Sequence, residues 1–96
     1  MKIYYVYILK CSDNTYYTGI TSNLDKRITE HKYGKHIDSY TYKRRPINLE
    51  FYAEFTNVEL AIQTEKQIKK WSRAKKEALI KNEFEKLPNL AKKKFS

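Results

Sequence analysis

The chain of 96 residues is poor in cysteine, glycine and proline, and it has no long apolar run. One cysteine, Cys11, cannot form an internal disulfide, and together with two histidines it gives no zinc-ligand spacing. We interpret Cys11 as a small hydrophobe in a strand and expect a reducing, cytoplasmic location. The longest apolar run, residues 3–9, is too short to span a bilayer and has no small-residue cleavage site after it. We therefore expect neither a membrane segment nor a signal peptide.

Acidic residues are also scarce. The chain has 20 Lys and Arg against 11 Asp and Glu, which gives a net charge of +9. Such a surplus attracts polyanions through counterion release, and nucleic acid is the usual polyanion inside a cell. On charge alone, a basic protein without such a partner is the alternative. The length suits one domain, and 41% hydrophobic residues favour a folded chain.

The residue pattern predicts an α+β domain with the element order ββαβαα. Aromatic and β-branched residues mark the strands, and apolar residues three or four apart mark the helices. A small three-stranded, mostly antiparallel sheet flanked by helices is the simplest arrangement of these elements. We assign the domain to residues 1–84 and a basic C-terminal tail to residues 85–96. The predicted strands cover residues 3–11, 15–20 and 47–55, and the predicted helices cover residues 23–33, 58–71 and 73–84.

Local signals define the ends and faces of these elements. Ser22 with Asp25 resembles a capping box at the first helix, and Gly34 is placed to end that helix in a left-handed conformation. Alternation in the third strand predicts that Leu49 and Phe51 share its buried face. The residues expected to cap the second and third helices are Asn57 and Ser72.

The predicted hairpin carries several tyrosines. Tyr5 and Tyr7 are two apart and face the same side, and the turn would bring Tyr17 of the partner strand alongside Tyr7. Cross-strand tyrosine pairs stabilise hairpins, so packing alone explains any one of them. Gly19 is more specific, because the chain has only two glycines and a strand-end glycine permits close backbone approach.

Arg27 and His31 lie four apart on the first helix and border the apolar stripe formed by Leu24 and Ile28. They would therefore point along the edge of the sheet. A planar guanidinium matches phosphate oxygens well. The alternatives are a solvated ion pair of Arg27 with Glu30 or Asp25, and a histidine on the helix surface.

Glu65 falls on the predicted inward stripe of the second helix, which includes Ala61, Ile68 and Leu60. A buried carboxylate is costly unless it is paired or bound to a metal, and a hard cation such as Mg²⁺ takes carboxylate oxygens. An ion pair with Lys69, four residues on, explains Glu65 equally well.

Two basic tracts are candidate phosphate contacts, although a solvated basic face is the alternative. One ends the predicted loop at residues 35–46, and the other spans the end of the second helix and the start of the third. The candidates are Lys43, Arg44, Arg45, Lys69, Lys70, Arg73 and Lys76.

Four features in order resemble the GIY-YIG endonuclease domain over about residues 3–80, and the short stand-alone bacterial (YhbQ-like) group in particular. Tyr5-Val6-Tyr7 stands where the family has its first triplet, and Tyr17-Thr18-Gly19 where it has its second. The segment ending in Arg27 resembles the family's arginine helix, and the segment around Glu65 resembles the stretch with its glutamate.

The resemblance implies a metal-dependent endonuclease that hydrolyses DNA phosphodiester bonds. Tyr7 would activate or orient the attacking water, with support from Tyr17, and His31 would assist proton transfer. Arg27 would stabilise the transition state, and Glu65 would hold one Mg²⁺ or Mn²⁺. Gly19 would belong to the nucleic-acid-binding surface. A structured or damaged DNA substrate, as in DNA repair, is expected rather than a defined sequence, for a monomer or weak homo-oligomer.

Two residues depart from the family pattern. Tyr5 stands where the first triplet has glycine, and Ile20 stands where DNA-repair members carry a lysine. A catalytically weak or inactive nucleic-acid-binding module of the same fold is therefore the second hypothesis. The third is a protein-interaction domain that is basic for solubility.

Overall fold

A computed structural model describes residues 2–81 of the chain. It has the predicted order ββαβαα and a three-stranded antiparallel sheet, so the predicted fold class is confirmed. The predicted end of the last helix at residue 84 and the predicted tail at 85–96 lie outside the described residues. The elements are β1 Tyr4–Lys10, β2 Tyr16–Thr21, α1 Leu24–Tyr33, β3 Asn48–Phe55, α2 Val58–Lys69 and α3 Arg73–Ile80, with a short 3₁₀ helix at Tyr42–Arg44.

The strand order in the sheet is β2-β1-β3, which leaves β2 at an edge. Helix α2 lies against β2 and β1. No helix in residues 2–81 is long and apolar enough to cross a bilayer.

The first helix begins at a different cap from the predicted one. The side chain of Asn23, not of Ser22, accepts the backbone N–H of Lys26 at 3.1 Å, so the predicted capping box is wrong. The hydroxyl of Thr21 bonds both the N–H and the carbonyl of Asn23, which fixes the helix entry one residue later. The end of α1 is as predicted, because Gly34 has φ 69° and is left-handed.

The two faces of the sheet belong to two separate cores. Alternate residues of β1 enter different cores, since successive strand side chains point to opposite sides. Cys11 is buried and free, as the sequence predicts. The larger core contains Val6, Ile8, Ala53, Phe55, Ala61, Ile68, Ala78 and Leu79. The smaller core contains Tyr7, Leu9, Cys11 and Ile47, with Leu24 and Ile28 of α1 packed against it.

A register shift in β3 corrects one predicted face. Phe51 lies opposite Ile8, but Leu49 lies opposite Leu9, so one residue of β3 is skipped between them. Such a bulge reverses the alternation beyond it. Leu49 therefore packs in the smaller core and Phe51 in the larger one, and the prediction of a shared face is wrong.

Asn57 and Ser72 cap α2 and α3 as predicted, each accepting a backbone N–H with its side chain. Helix α2 ends at Lys69, two residues earlier than predicted. Ala61 is buried in the larger core, but the neighbouring Leu60 is 37% exposed, so its predicted inward position is wrong. Adjacent helical residues lie about 100° apart around the axis, which turns Leu60 away from the sheet.

Candidate active site

The rings of Tyr7, Tyr17 and His31 pack against one another on the α1 face of the sheet. Their centroids are 6.4 Å apart for the two tyrosines, 5.9 Å for Tyr7 and His31, and 5.4 Å for Tyr17 and His31. Tyr7 is fully buried and His31 is 5% exposed, so the alternative of a surface histidine is wrong. The hairpin and α1 thus meet at one point, as the sequence predicts.

His31 forms a hydrogen bond through each of its ring nitrogens. Its Nε2 lies 3.0 Å from the Tyr7 hydroxyl, and its Nδ1 lies 2.8 Å from the hydroxyl of Thr41. Thr41 is itself buried, and it belongs to the segment that the sequence predicts only as a loop. No motif marks Thr41, so sequence analysis missed it.

Burial raises the pKa of Tyr7 to about 12. The negative charges of Tyr17 and Glu65 raise this pKa further, while the positive charge of Arg27 lowers it. The phenol therefore keeps its proton at neutral pH and can release it only to a positioned acceptor.

Burial also lowers the pKa of His31 below its usual 6.5. The positive charges of Arg27 and His36 act in the same direction, and Glu30 opposes them. The imidazole is therefore neutral at pH 7, with one nitrogen carrying a proton and the other free to accept one.

The lowered pKa of His31 predicts a loss of stability in mild acid. The unfolded chain takes up the histidine proton first as the pH falls below 6.5, so stability is lost between that pH and the lower folded-state pKa. Urea unfolding measured from about pH 7.5 to about pH 5 should show a larger loss for the wild type than for His31→Gln. The same series on His36→Gln reports the share of the other histidine. Equal pH dependence of the wild type and His31→Gln would contradict this prediction.

Gly19 lies directly opposite Tyr7 in the hairpin. A Cβ atom at this position would lie 2.4 Å from the Tyr7 hydroxyl oxygen and 2.5 Å from its Cζ, far inside contact distance. The close approach that the sequence predicts at Gly19 is therefore made by the phenol of Tyr7. This glycine leaves the space in which the Tyr7 hydroxyl reaches His31.

Glu65 is buried on α2, as predicted. It also forms the ion pair with Lys69 that the sequence offered as the alternative. Its Oε2 lies 2.7 Å from Nζ of Lys69, four residues on. The negative charge of Glu65 raises the pKa of Tyr7, and its hydrogen bond raises the pKa of Lys69. The charge of Glu65 thus acts on Tyr7 while its carboxylate forms the ion pair with Lys69.

Arg27 also forms an ion pair with Glu30, one of the alternatives that the sequence offered. Its Nε lies 3.5 Å from Oε1 of Glu30, and 41% of its side chain is exposed. Lys26, Arg27 and Glu30 line a pocket of about 170 Å³. A larger pocket of about 360 Å³ lies beside Tyr5 and Tyr52. The lining of the larger pocket includes none of the five candidate catalytic residues.

Among the candidate nucleic-acid-binding residues, Lys69 is beside the site through Glu65. Arg73 lies elsewhere, because it contacts Glu77 and the ring of Tyr16, whose side chain is on the opposite face of the sheet from Tyr17. Of the other lysines, Lys43 and Lys70 are exposed, and Lys76 is half-buried with its pKa lowered by burial.

The two loop arginines pack on tyrosines. Arg44 lies 3.9 Å above the ring of Tyr40 and pairs with Asp13 at 3.0 Å, and Arg45 lies 4.6 Å above the ring of Tyr42. The Tyr40 ring stacks on Tyr17 at 5.9 Å and is 41% exposed. Packed aromatic rings thus run from the buried Tyr7 through Tyr17 to the partly exposed Tyr40. Sequence analysis did not predict this arrangement.

Residues 2–81 contain no cluster of three or more His, Cys, Asp and Glu side chains that could hold a metal by themselves. Glu65 contributes a single buried carboxylate. Mg²⁺ commonly binds through one or two carboxylates, with water and substrate phosphate completing its shell. The donors that are present therefore fit a cation shared with substrate rather than one enclosed by protein.

The chain is similar to one family model and to several individual proteins. Residues 3–85 match the family model of the GIY-YIG catalytic domain. A UPF0213 protein of Syntrophus aciditrophicus is 47% identical over 83 residues, which cover 86% of this chain and 95% of that protein. The UPF0213 protein YazA of Bacillus subtilis is 42% identical over 77 residues, which cover 80% of this chain and 77% of that protein.

Two solved structures share the fold. The NMR structure of the UPF0213 protein BH0048 from Bacillus halodurans has a TM-score of 0.55 and 42% identity, covering 82% of this chain and 83% of that one. The NMR structure of EF2693 from E. faecalis has a TM-score of 0.61 and 32% identity, covering 85% and 86%.

Proposed function

The chain belongs to the GIY-YIG family, and on that premise we propose that it is a metal-dependent endonuclease that hydrolyses DNA phosphodiester bonds. The observation that carries the proposal is the buried hydrogen bond between the Tyr7 hydroxyl and Nε2 of a neutral His31, with the charges of Arg27 and Glu65 acting on Tyr7. These are the groups that transfer a proton and stabilise a phosphorane. We propose that the substrate is recognised by structure or damage, because its expected contacts are with phosphates.

Tyr7 serves as the group that takes the proton of the attacking water. Its own proton passes to Nε2 of His31, 3.0 Å away, so the phenol need not ionise alone against a pKa of about 12. Tyr17 packs against both rings and holds them in place. Its own hydroxyl is a second contact for the phosphate.

Arg27 supplies positive charge where the transition state gains negative charge. Its half-exposed guanidinium can exchange Glu30 for a phosphate oxygen, since a surface ion pair is weak. A fixed guanidinium at a developing oxyanion contributes more in the transition state than in the ground state. Lys69, next to Glu65, adds attraction for the backbone of the nucleic acid.

Glu65 is the residue that would hold Mg²⁺ or Mn²⁺, with water and phosphate oxygens as further ligands. Such a cation supplies Lewis-acid stabilisation of the phosphate and of the leaving oxygen. Binding the cation requires the carboxylate to loosen its bond to Lys69, whose side chain is 52% exposed and free to turn towards phosphate.

The position of Ile20 favours the enzyme over an inactive binding module. Ile20 packs against the larger core, on the opposite face of the sheet from Tyr17 and Gly19. Its departure from the lysine of other members therefore removes no group from the face that carries Tyr7 and Tyr17. Tyr5, the other departure, has its ring centroid 6.2 Å from that of Tyr52, whereas the Tyr7 hydroxyl bonds His31.

A cleavage panel tests the proposed function. Purified full-length protein is incubated with supercoiled, branched, duplex and single-stranded DNA and with RNA, in Mg²⁺, Mn²⁺ or EDTA. We expect nicks in at least one DNA form with either cation and none in EDTA. Binding to DNA without cleavage in any arm would support the binding module instead.

Removal of the Tyr7 hydroxyl tests its chemical role. Tyr7→Phe keeps the ring, so we expect a stability loss of about 1 kcal/mol from the lost hydrogen bond and a fall in turnover of about a hundredfold or more. Tyr5→Phe, on the same face of β1, is the matched control and should cleave at close to the wild-type rate. Steady-state cleavage and urea unfolding measure the two effects. Equal rates for both variants would assign Tyr7 to packing alone.

A further inference from the structure

A second hydrogen bond lies behind His31, on the side of the ring away from Tyr7. Thr41 is 1% exposed, and its hydroxyl lies 2.8 Å from Nδ1, closer than Tyr7 lies to Nε2. A neutral imidazole carries a proton on one nitrogen only, so the partner of Nδ1 decides whether Nε2 can accept. The contact with Thr41 is therefore part of the chemistry at Tyr7.

Two neighbouring groups define which way these bonds run. The Thr41 hydroxyl also lies 3.2 Å from the hydroxyl of Ser39, which can take its single proton. Thr41 then has lone pairs left for an N–H from His31. At the other end, the partner of Nε2 is the Tyr7 hydroxyl, which has a proton to donate because its pKa of about 12 keeps it protonated at neutral pH.

We propose, on the basis of the nuclease function above, that Thr41 is a positioning residue. By accepting the Nδ1–H of His31, it holds the imidazole in the tautomer whose Nε2 accepts the phenolic proton of Tyr7. During hydrolysis Tyr7 takes one proton from water and passes its own to Nε2. The resulting imidazolium still donates its Nδ1–H to Thr41, and Ser39 keeps the Thr41 hydroxyl turned to accept.

The loop before β3 is thus a working part of the site. Thr41 is the residue before the short 3₁₀ helix at Tyr42–Arg44, and its carbonyl accepts the N–H of Arg44 at 3.0 Å. Tyr40, next to it, stacks on Tyr17. These contacts anchor the Thr41 hydroxyl behind His31 from both sides.

The tautomer can be read directly. Long-range proton–nitrogen NMR spectra distinguish Nδ1–H from Nε2–H, and a His36→Gln variant assigns the signals, since the chain has two histidines. We expect the Nδ1–H form of His31 in the wild type. Thr41→Val, of nearly equal volume, should lose that form, and Thr41→Ser should restore it.

Kinetics separate positioning from packing. We expect Thr41→Val to lower kcat by about tenfold or more with KM unchanged, and Thr41→Ser to recover most of that loss. Thr29→Val, at an exposed position of α1, is the matched control and should cleave like the wild type. If Thr41→Val fails to fold, Ser39→Ala tests the same relay and should weaken the preference for Nδ1–H.

Two results would overturn the inference. One is an Nε2–H tautomer in the wild type, and the other is a Thr41→Val variant with unchanged spectrum and unchanged kcat. The spectra need no nucleic acid, so they are independent of the proposed activity. Retention of the Nδ1–H form in a protein that cleaves nothing would count against the nuclease function and not against the role of Thr41 in setting the tautomer.

Discussion

Glu65→Gln is expected to abolish metal-dependent cleavage while the fold survives. Glutamine keeps the volume and the helical propensity but cannot act as an anionic ligand. Loss of several kcal/mol of transition-state stabilisation corresponds to a fall in kcat of about a thousandfold. The broken ion pair with the half-exposed Lys69 should cost about 1 kcal/mol or less in stability. Cleavage at saturating substrate and urea unfolding measure both quantities.

Two controls separate the metal from the ion pair at Glu65. Glu59→Gln, an acid in the first turn of α2 with an exposed side chain, should retain wild-type cleavage. Lys69→Gln breaks the same ion pair but keeps the carboxylate, so we expect a higher KM with kcat within about tenfold of the wild type. If Lys69→Gln and Glu65→Gln lose kcat equally, Glu65 serves only to hold Lys69.

A methyl group at position 19 is expected to displace the Tyr7 phenol. The new Cβ would lie 2.4 Å from the Tyr7 hydroxyl, and the buried ring can relieve this clash only by leaving its place beside His31. We expect Gly19→Ala to lower cleavage by about a hundredfold, because the relay is broken, and stability by about 1–3 kcal/mol, as for other overpacked cores.

A double-mutant cycle tests the cause of that loss. In a Tyr7→Leu background the phenol is gone, so Gly19→Ala should cost less free energy of unfolding than in the wild type. Urea unfolding of the four proteins gives the interaction energy. The same cost in both backgrounds would show that the clash with Tyr7 is not what makes position 19 intolerant.

Much of the fold could be predicted because local chemistry determines it. Asn57, Ser72 and Gly34 end helices through contacts with their own neighbours, which residue type alone indicates. The predicted N-cap of α1 was wrong because serine and asparagine, here Ser22 and Asn23, are both favourable N-cap residues. The choice between them depends on where β2 ends, and that is a contact with Thr21 that residue type does not encode.

The site was predictable only where its residues lie on regular elements. Tyr7 and His31 could be placed by strand and helix periodicity, although their hydrogen bond spans 24 positions. Thr41 and Tyr40 could not, since an irregular segment has no period from which a direction follows. The bulge in β3 was missed for a related reason. A skipped residue changes the face of Leu49 without altering the pattern of residue types.

The alternation along β1 has a consequence for how this protein can change. Val6 and Ile8 belong to the larger core, whereas Tyr7 and Leu9 belong to the smaller core that carries the site. Substitutions at adjacent positions of this strand therefore act on different clusters, Val6 and Ile8 on the larger core and Tyr7 and Leu9 on the smaller one. Side chains on one face can therefore be exchanged while the packing on the other face is kept.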